Sequence, residues 1–226
     1  MNLENLRTMT RLVVPGAKNN VIDDTGLTLI LNQGAIDIAL QSICLPVNST
    51  FGVVAEQREY NLSSVVSDYL VPDKPGLYWY DGSNWLQLKP RTLKYFDEHY
   101  PFWRDADSGD PQMYSIDNNT LTVYPKPDTT LANGFWLYYG RKPQTMTAPS
   151  HYPFGFGSEI TRLAPLSECI IAYAEWPLVK ALGKDEDVVV AKEQAYKKSL
   201  AEKTILINQR PDLKADKKTK YGGRPV

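Results

Sequence analysis

Chemistry-bearing side chains are scarce in this chain: 226 residues hold two histidines and two cysteines. Catalysis near neutral pH draws mainly on histidine, an activated thiol, paired carboxylates or a bound metal, so the supply of acid–base and nucleophilic groups is thin. His99 precedes Tyr100-Pro101 and His151 precedes Tyr152-Pro153, neither near a second ligand at metal-binding spacing; both read as solvated loop or interface residues. Cys44 and Cys169 each lie in an apolar stretch and read as reduced, buried thiols rather than as a disulfide. Excess charge of one sign is lacking too. With 25 basic and 26 acidic side chains the formal net charge is −1, which excludes a global field pulling the chain onto nucleic acid or an anionic membrane. The longest apolar stretch, Cys169 to Leu182, is broken by Glu175, Pro177 and Lys180 and falls short of the roughly 20 residues that span a bilayer. The stretch Met1 to Arg7 has neither the basic start nor the apolar run of a secretory signal, so the chain is expected to be made and kept in a cytoplasm.

Catalytic signatures are missing as well. There is no phosphate loop with Gly-Lys-Ser/Thr, no dinucleotide-type glycine fingerprint and no nucleophile elbow. Asp105-Ala106-Asp107-Ser108-Gly109-Asp110 imitates the opening of a calcium loop, but glycine falls one position early and Ile116 stands where the bidentate carboxylate belongs. An exposed acidic turn is expected there, with a metal-assisted hydrolase on Asp105, Asp107 and Asp110 as the enzyme alternative. The expectation is a protein that is not an enzyme, with no catalytic residues, no cofactor and no metal.

What the chain does have is an ordinary globular balance, 42% hydrophobic and 23% charged, which argues against disorder over most of its length. It also has fourteen tyrosines and five tryptophans, concentrated between Tyr60 and Tyr152, where they suit strands and interface patches. The group Tyr78, Trp79, Tyr80, Trp85 and Trp103 suits sheet core or a subunit interface, and alternatively a platform for sugars or single-stranded bases.

A short helix is predicted from Leu3 to Val13, broken by Pro15-Gly16. Asp23-Asp24-Thr25 offers an N-cap oxygen to a second helix running to about Ile43. In that helix Leu27, Ile30, Leu31, Ala35 and Ile38 form one apolar face, while Leu29, Ile36, Leu40 and Ile43 form another. Burial on both sides within one core and sharing with a neighbouring subunit both remain open for this second face. From Pro46 to about Gly140 the period becomes alternating, with a first strand from Val53 through Tyr60 to Leu62. Hairpins are predicted at Met113–Tyr124, turning on Asp117-Asn118-Asn119, and around Asp81-Gly82-Ser83-Asn84. Phe135 to Tyr139 reads as a further strand and Thr92 to Tyr100 as a short helix. Helical period returns at Pro165 and runs to Gly183, with Pro177 inside it, and another helix opens at Asp185 or Asp187 and ends at Arg210-Pro211.

The fold class is therefore α+β: a helical bundle from N- and C-terminal segments, a β-rich antiparallel insertion and an extended C-terminal tail. The divisions fall at 1–45, the first helices; 46–140, the β insertion; 141–158, a linker loop; 159–209, the closing helices; and 210–226, a basic tail too poor in apolar residues to fold alone.

Taken in order, several segments resemble the head-to-tail adaptor, or connector, proteins of tailed bacteriophages. The resemblance runs through Leu6-Arg7-Thr8-Met9-Thr10-Arg11, Thr28-Leu29-Ile30-Leu31-Asn32-Gln33-Gly34-Ala35-Ile36 and Tyr60-Asn61-Leu62. It continues through Met113-Tyr114-Ser115-Ile116-Asp117, Thr120 to Pro127 and Leu137 to Pro143, and closes on Cys169–Leu182 and Ala191–Leu206. Tail tubular and stopper proteins share parts of this architecture. The resemblance implies a structural virion protein of the neck, made in the host cytoplasm. It would form a homo-oligomeric, dodecameric ring that docks on the portal, meets tail or neck proteins and lets double-stranded DNA pass without sequence-specific binding or membrane contact. By the same pattern Arg210, Lys214, Lys217, Lys218, Lys220, Tyr221 and Arg224 are expected to dock on the portal. Leu29, Ile36, Leu40 and Ile43 are expected to form the subunit-interface helix. The rival from a binding class is a carbohydrate module using the β-region aromatics.

Overall fold

The computed structural model describes residues 1–14, 22–155 and 158–209. In chain order the elements are α1 (Leu3–Val13), α2 (Asp24–Ser42), β1 (Pro46–Val53), β2 (Glu59–Asn61), α3 (Leu62–Val65), β3 (Tyr69–Tyr80), β4 (Trp85–Gln87) and β5 (Lys89–Pro90). There follow α4 (Leu93–His99), β6 (Met113–Asp117), β7 (Thr120–Tyr124), β8 (Leu131–Arg141), α5 (Ser158–Arg162), α6 (Ala164–Ala181) and α7 (Glu186–Gln209). This is an α+β fold, and it divides into two compact units. Leu45–Lys142 makes one, and Met1–Cys44 with the described residues from Pro143 onward makes the other.

In the helical unit, local chemistry sets the helix ends. Asn2 caps α1 by accepting from the Asn5 amide at 3.0 Å, and Asp23 caps α2 by accepting from the Gly26 amide at 2.7 Å. At the other end of α2, Ile43 takes the left-handed conformation with φ 46° and donates its amide to the Ala39 carbonyl. Pro165 stands in the first turn of α6, where a missing N–H costs nothing; Gly183, at φ 67°, ends the helix just beyond its cap. Pro177 sits inside α6 and the helix continues past it.

Helix α6 is the axis of this unit, packing against α1, α2 and α7. Neighbours on three sides account for its being apolar around most of its circumference: Leu166, Cys169, Ile170, Ala174 and Leu178 are all buried. Leu3 and Leu6 of α1 and Leu27, Leu31 and Ile38 of α2 complete the packing, each at 0% exposure and each contributing about 1.5–3 kcal/mol of transfer free energy. The connection after β8 is fastened to this unit as well. Asn32 brackets Met146, donating to its carbonyl at 3.1 Å and accepting from its amide at 2.8 Å, and the Leu3 amide donates to the His151 carbonyl.

The β unit holds two four-stranded sheets, ordered β1-β8-β3-β4 and β2-β7-β6-β5. Pairing is antiparallel apart from the two-residue β5, which runs parallel to β6. Alternation along the strands sends Phe51, Val53, Leu77, Trp79, Phe135 and Leu137 of the first sheet into one apolar cluster with Tyr60, Tyr114, Leu121 and Val123 of the second. The opposite face of the second sheet carries α4, whose Phe96 packs with Trp103 and Met113.

The first strand differs from expectation. Instead of running from Val53 to Leu62, it ends at Val53; Val54–Arg58 turn, with Glu56 at φ 65°, and only Glu59–Asn61 return as β2. The Tyr60 hydroxyl fixes that turn, donating to the Gln57 carbonyl at 3.0 Å. The hairpin expected at Met113–Tyr124 forms as β6 and β7, with Asn118 and Asn119 at φ 46° and 66° in its turn.

Candidate assembly interface

Helix α2 carries two apolar faces, and among the described residues only one of them is packed. Leu27, Leu31, Ala35 and Ile38 are buried, whereas Leu29, Ile36 and Leu40 stand 60%, 44% and 45% exposed. Spacings of seven and four residues set these three in a line along the helix, with exposed Gln33 between Leu29 and Ile36. Ile43, the fourth residue expected on this face, is the C-cap of α2: it is half-buried, in the left-handed conformation, one position beyond the last helical residue.

The α2 rim is held in place by polar contacts. Asp24 takes an ion pair from Arg11 at 2.6 Å and a looser one from Arg7 at 3.6 Å, which fixes the start of α2 against α1. Hydrogen bonding from Arg11 holds the Asp24 carboxyl below the usual aspartate range. On a third side of α2, Asp37 accepts from the Tyr196 hydroxyl of α7 and from Gln41 at 2.6 Å. Burial is the main reason that the Tyr196 hydroxyl titrates far above an ordinary tyrosine, with the hydrogen bond to Asp37 adding to it.

A second exposed apolar surface lies on α1, where Met9, Leu12 and Val13 are 41%, 70% and 42% exposed at i, i+3, i+4 spacing. It adjoins a groove of about 460 Å³ between the C-terminal ends of α1 and α6, lined by Val13, Val14, Val179, Leu182, Lys184 and Lys192. Lys192 pairs with Glu175 at 2.5 Å on its wall. The sequence reading passed over this surface, although the same spacing, set off from buried Leu3 and Leu6, was there to be found.

The aromatic group separates into different environments and makes no single platform. Trp79 and Trp103 are buried at 1% and 3%. The guanidinium groups of Arg58 and Arg104 stand over the Trp103 ring, 5.0 and 4.4 Å from its centre, and Trp103 donates its Nε1–H to Asp97 at 2.9 Å. Tyr78, Tyr80 and Trp85 are half-buried and pack on one another or on Trp136. Asp105, Asp107 and Asp110 are exposed, and among the described residues no three His, Cys, Asp or Glu side chains converge to hold a metal ion. The His99 ring stacks on Tyr95 at 4.1 Å, and His151 Nδ1 accepts from the Thr147 amide at 3.2 Å. Cys44 and Cys169 are both buried, and burial pushes the Cys169 thiol up.

A family model described as SU10 adaptor protein matches residues 1–218. The chain belongs to the SU10 adaptor family. This is a family of phage head-to-tail adaptors, structural proteins of the virion. No curated protein matches the chain. The portal-docking residues expected of the adaptor, Arg210, Lys214, Lys217, Lys218, Lys220, Tyr221 and Arg224, lie outside the described residues. The family match takes in the first four of them and ends before Lys220. No described helix of the adaptor is long and apolar enough to cross a membrane.

Proposed function

We propose that this adaptor closes into a homo-oligomeric, dodecameric ring in the virion neck, docks on the portal and links the DNA-filled head to the tail. Its mechanism is mechanical: ring closure, docking, provision of a platform for tail assembly and retention of packaged DNA. The observation that carries this reading is the line of Leu29, Ile36 and Leu40, an apolar face left open on a helix whose other faces are already satisfied. Family membership over residues 1–218 supplies the context in which that face meets another copy.

The segments take separate roles. Residues 210–226 form the portal-docking arm, their lysines and arginines pairing with portal carboxylates and Tyr221 anchoring the contact. The β unit faces the tail or neck proteins. DNA slides through the ring, and a chain of net charge −1 suits a passage that must not grip phosphates. Synthesis takes place in the host cytoplasm and no catalysis is required. Mixing the purified adaptor with portal tests the role: rings stacked on portal rings are expected by electron microscopy, and persistent failure to bind portal contradicts it. Removing 210–226 is expected to weaken docking and leave the fold intact by circular dichroism; unchanged docking removes the arm from the mechanism.

A further inference from the structure

We infer that the α2 line of one copy seats against the α1–α6 groove of the next, so that the ring closes through two different surfaces of the same helical unit. This rests on the ring reading above and names the partner of the α2 face.

A closed ring of identical chains needs a head-to-tail contact, in which two non-overlapping and complementary patches of one subunit meet. The helical unit offers two such patches. One is Leu29, Ile36 and Leu40; the other is Met9, Leu12 and Val13 with the adjoining groove, and they share no residue. Their shapes are opposite. The α2 line is a ridge on a single helix, and the eleven steps from Leu29 to Leu40 rise about 16.5 Å at 1.5 Å each. The groove is a hollow of about 460 Å³, within the range of sites that enclose small apolar groups. It has room for one or two side chains of the ridge, leaving the rest to lie over Met9 and Leu12.

The ridge is apolar without a competing charge of its own. The two acids of α2 are engaged within the chain, Asp24 by Arg11 and Arg7 and Asp37 by Tyr196 and Gln41. On the wall of the groove Lys192 is likewise paired with Glu175, at 2.5 Å. Helix α7 offers no competing line: its exposed apolar residues, Val188 with Val190 and Ile205 with Leu206, stand two and one positions apart and so face different ways.

The test uses two full-length double variants, I36D/L40D and L12D/V13D, each placed at exposed positions and checked for folding by circular dichroism. Light scattering after size exclusion then reads the mass. Each variant alone is expected to be monomeric, with self-association at least 100-fold weaker than that of the unaltered chain. Mixed in equal amounts they are expected to give a 1:1 heterodimer and nothing larger, since one supplies the ridge and the other the groove. If L12D/V13D assembles like the unaltered chain, or the mixture stays monomeric, the pairing is overturned; a dimer of L12D/V13D alone would mean that α2 packs on its own copy instead. An unaltered chain that is monomeric at every concentration overturns the ring reading itself, which separates the two failures. Should either variant fail to fold, Leu12→Cys/Leu40→Cys under oxidation decides the matter: a ladder of intermolecular cross-links supports the pairing, and its absence overturns it.

Discussion

The Tyr196–Asp37 hydrogen bond joins α7 to α2 with a phenol whose ionisation burial opposes. A tyrosine with its folded-state pKa above the unfolded value of about 10 stabilises the native state fully below pH 10, and the contribution is lost as pH rises toward the folded value. Denaturant midpoints are therefore expected to fall above about pH 10 more steeply in the unaltered chain than in Tyr196→Phe. At pH 7 that variant is expected to lose about 1.5 kcal/mol, the low end for a hydrogen bond to a charged group that is half in water. Equal alkaline slopes would contradict this. At the β6–β7 turn, Asn119 holds φ 66°, and its carbonyl accepts from the Leu62 amide at 2.8 Å. Asn119→Val is expected to cost about 1–3 kcal/mol by chemical denaturation, while Asn119→Gly is tolerated.

Among the elements, α2 was the most legible: its cap, its length and its two apolar faces are all written in the spacing of short runs. What spacing cannot say is which face a neighbouring helix will take. Gly34 lies on the face that α6 takes, and an added Cβ there would lie 2.8 Å from Cδ1 and 3.1 Å from Cγ of Tyr173 on α6. The ring's near edge, not a flexible chain end, is what would have to move. Gly34→Ala should gain up to about 1 kcal/mol of helix propensity and lose about 1–3 kcal/mol to overpacking, so a net fall in thermal midpoint is expected. A rise would mean that α2 and α6 are not in close contact there. The misplaced first strand has an equally local cause. Asn48-Ser49-Thr50 is polar and carries no apolar alternation, because β1 is an edge strand with one face toward the core, whereas Val53-Val54-Ala55 looks strand-like but leads into a turn. Trp79 parts from Tyr78 and Tyr80 because adjacent strand residues face opposite ways, and Trp103 stands apart because it lies in the turn after α4 and packs on Phe96 and Met113.

For the whole molecule, the α+β class and the adaptor family were both legible, because the order of helices, hairpins and helices survives in short segments even when no one segment is distinctive. The candidate interface was half legible. Leu29, Ile36 and Leu40 stand open as one line, but the groove beside α1 depends on how α1 and α6 end beside each other, a contact between residues more than 150 positions apart in the chain. The central claim is that the open α2 face serves self-assembly. Sedimentation velocity across a wide range of concentrations tests it most directly. A single large species of fixed stoichiometry is predicted for the unaltered chain, with I36D/L40D sedimenting as a folded monomer; an unaltered chain that stays monomeric throughout, or a double variant that assembles undiminished, would contradict it.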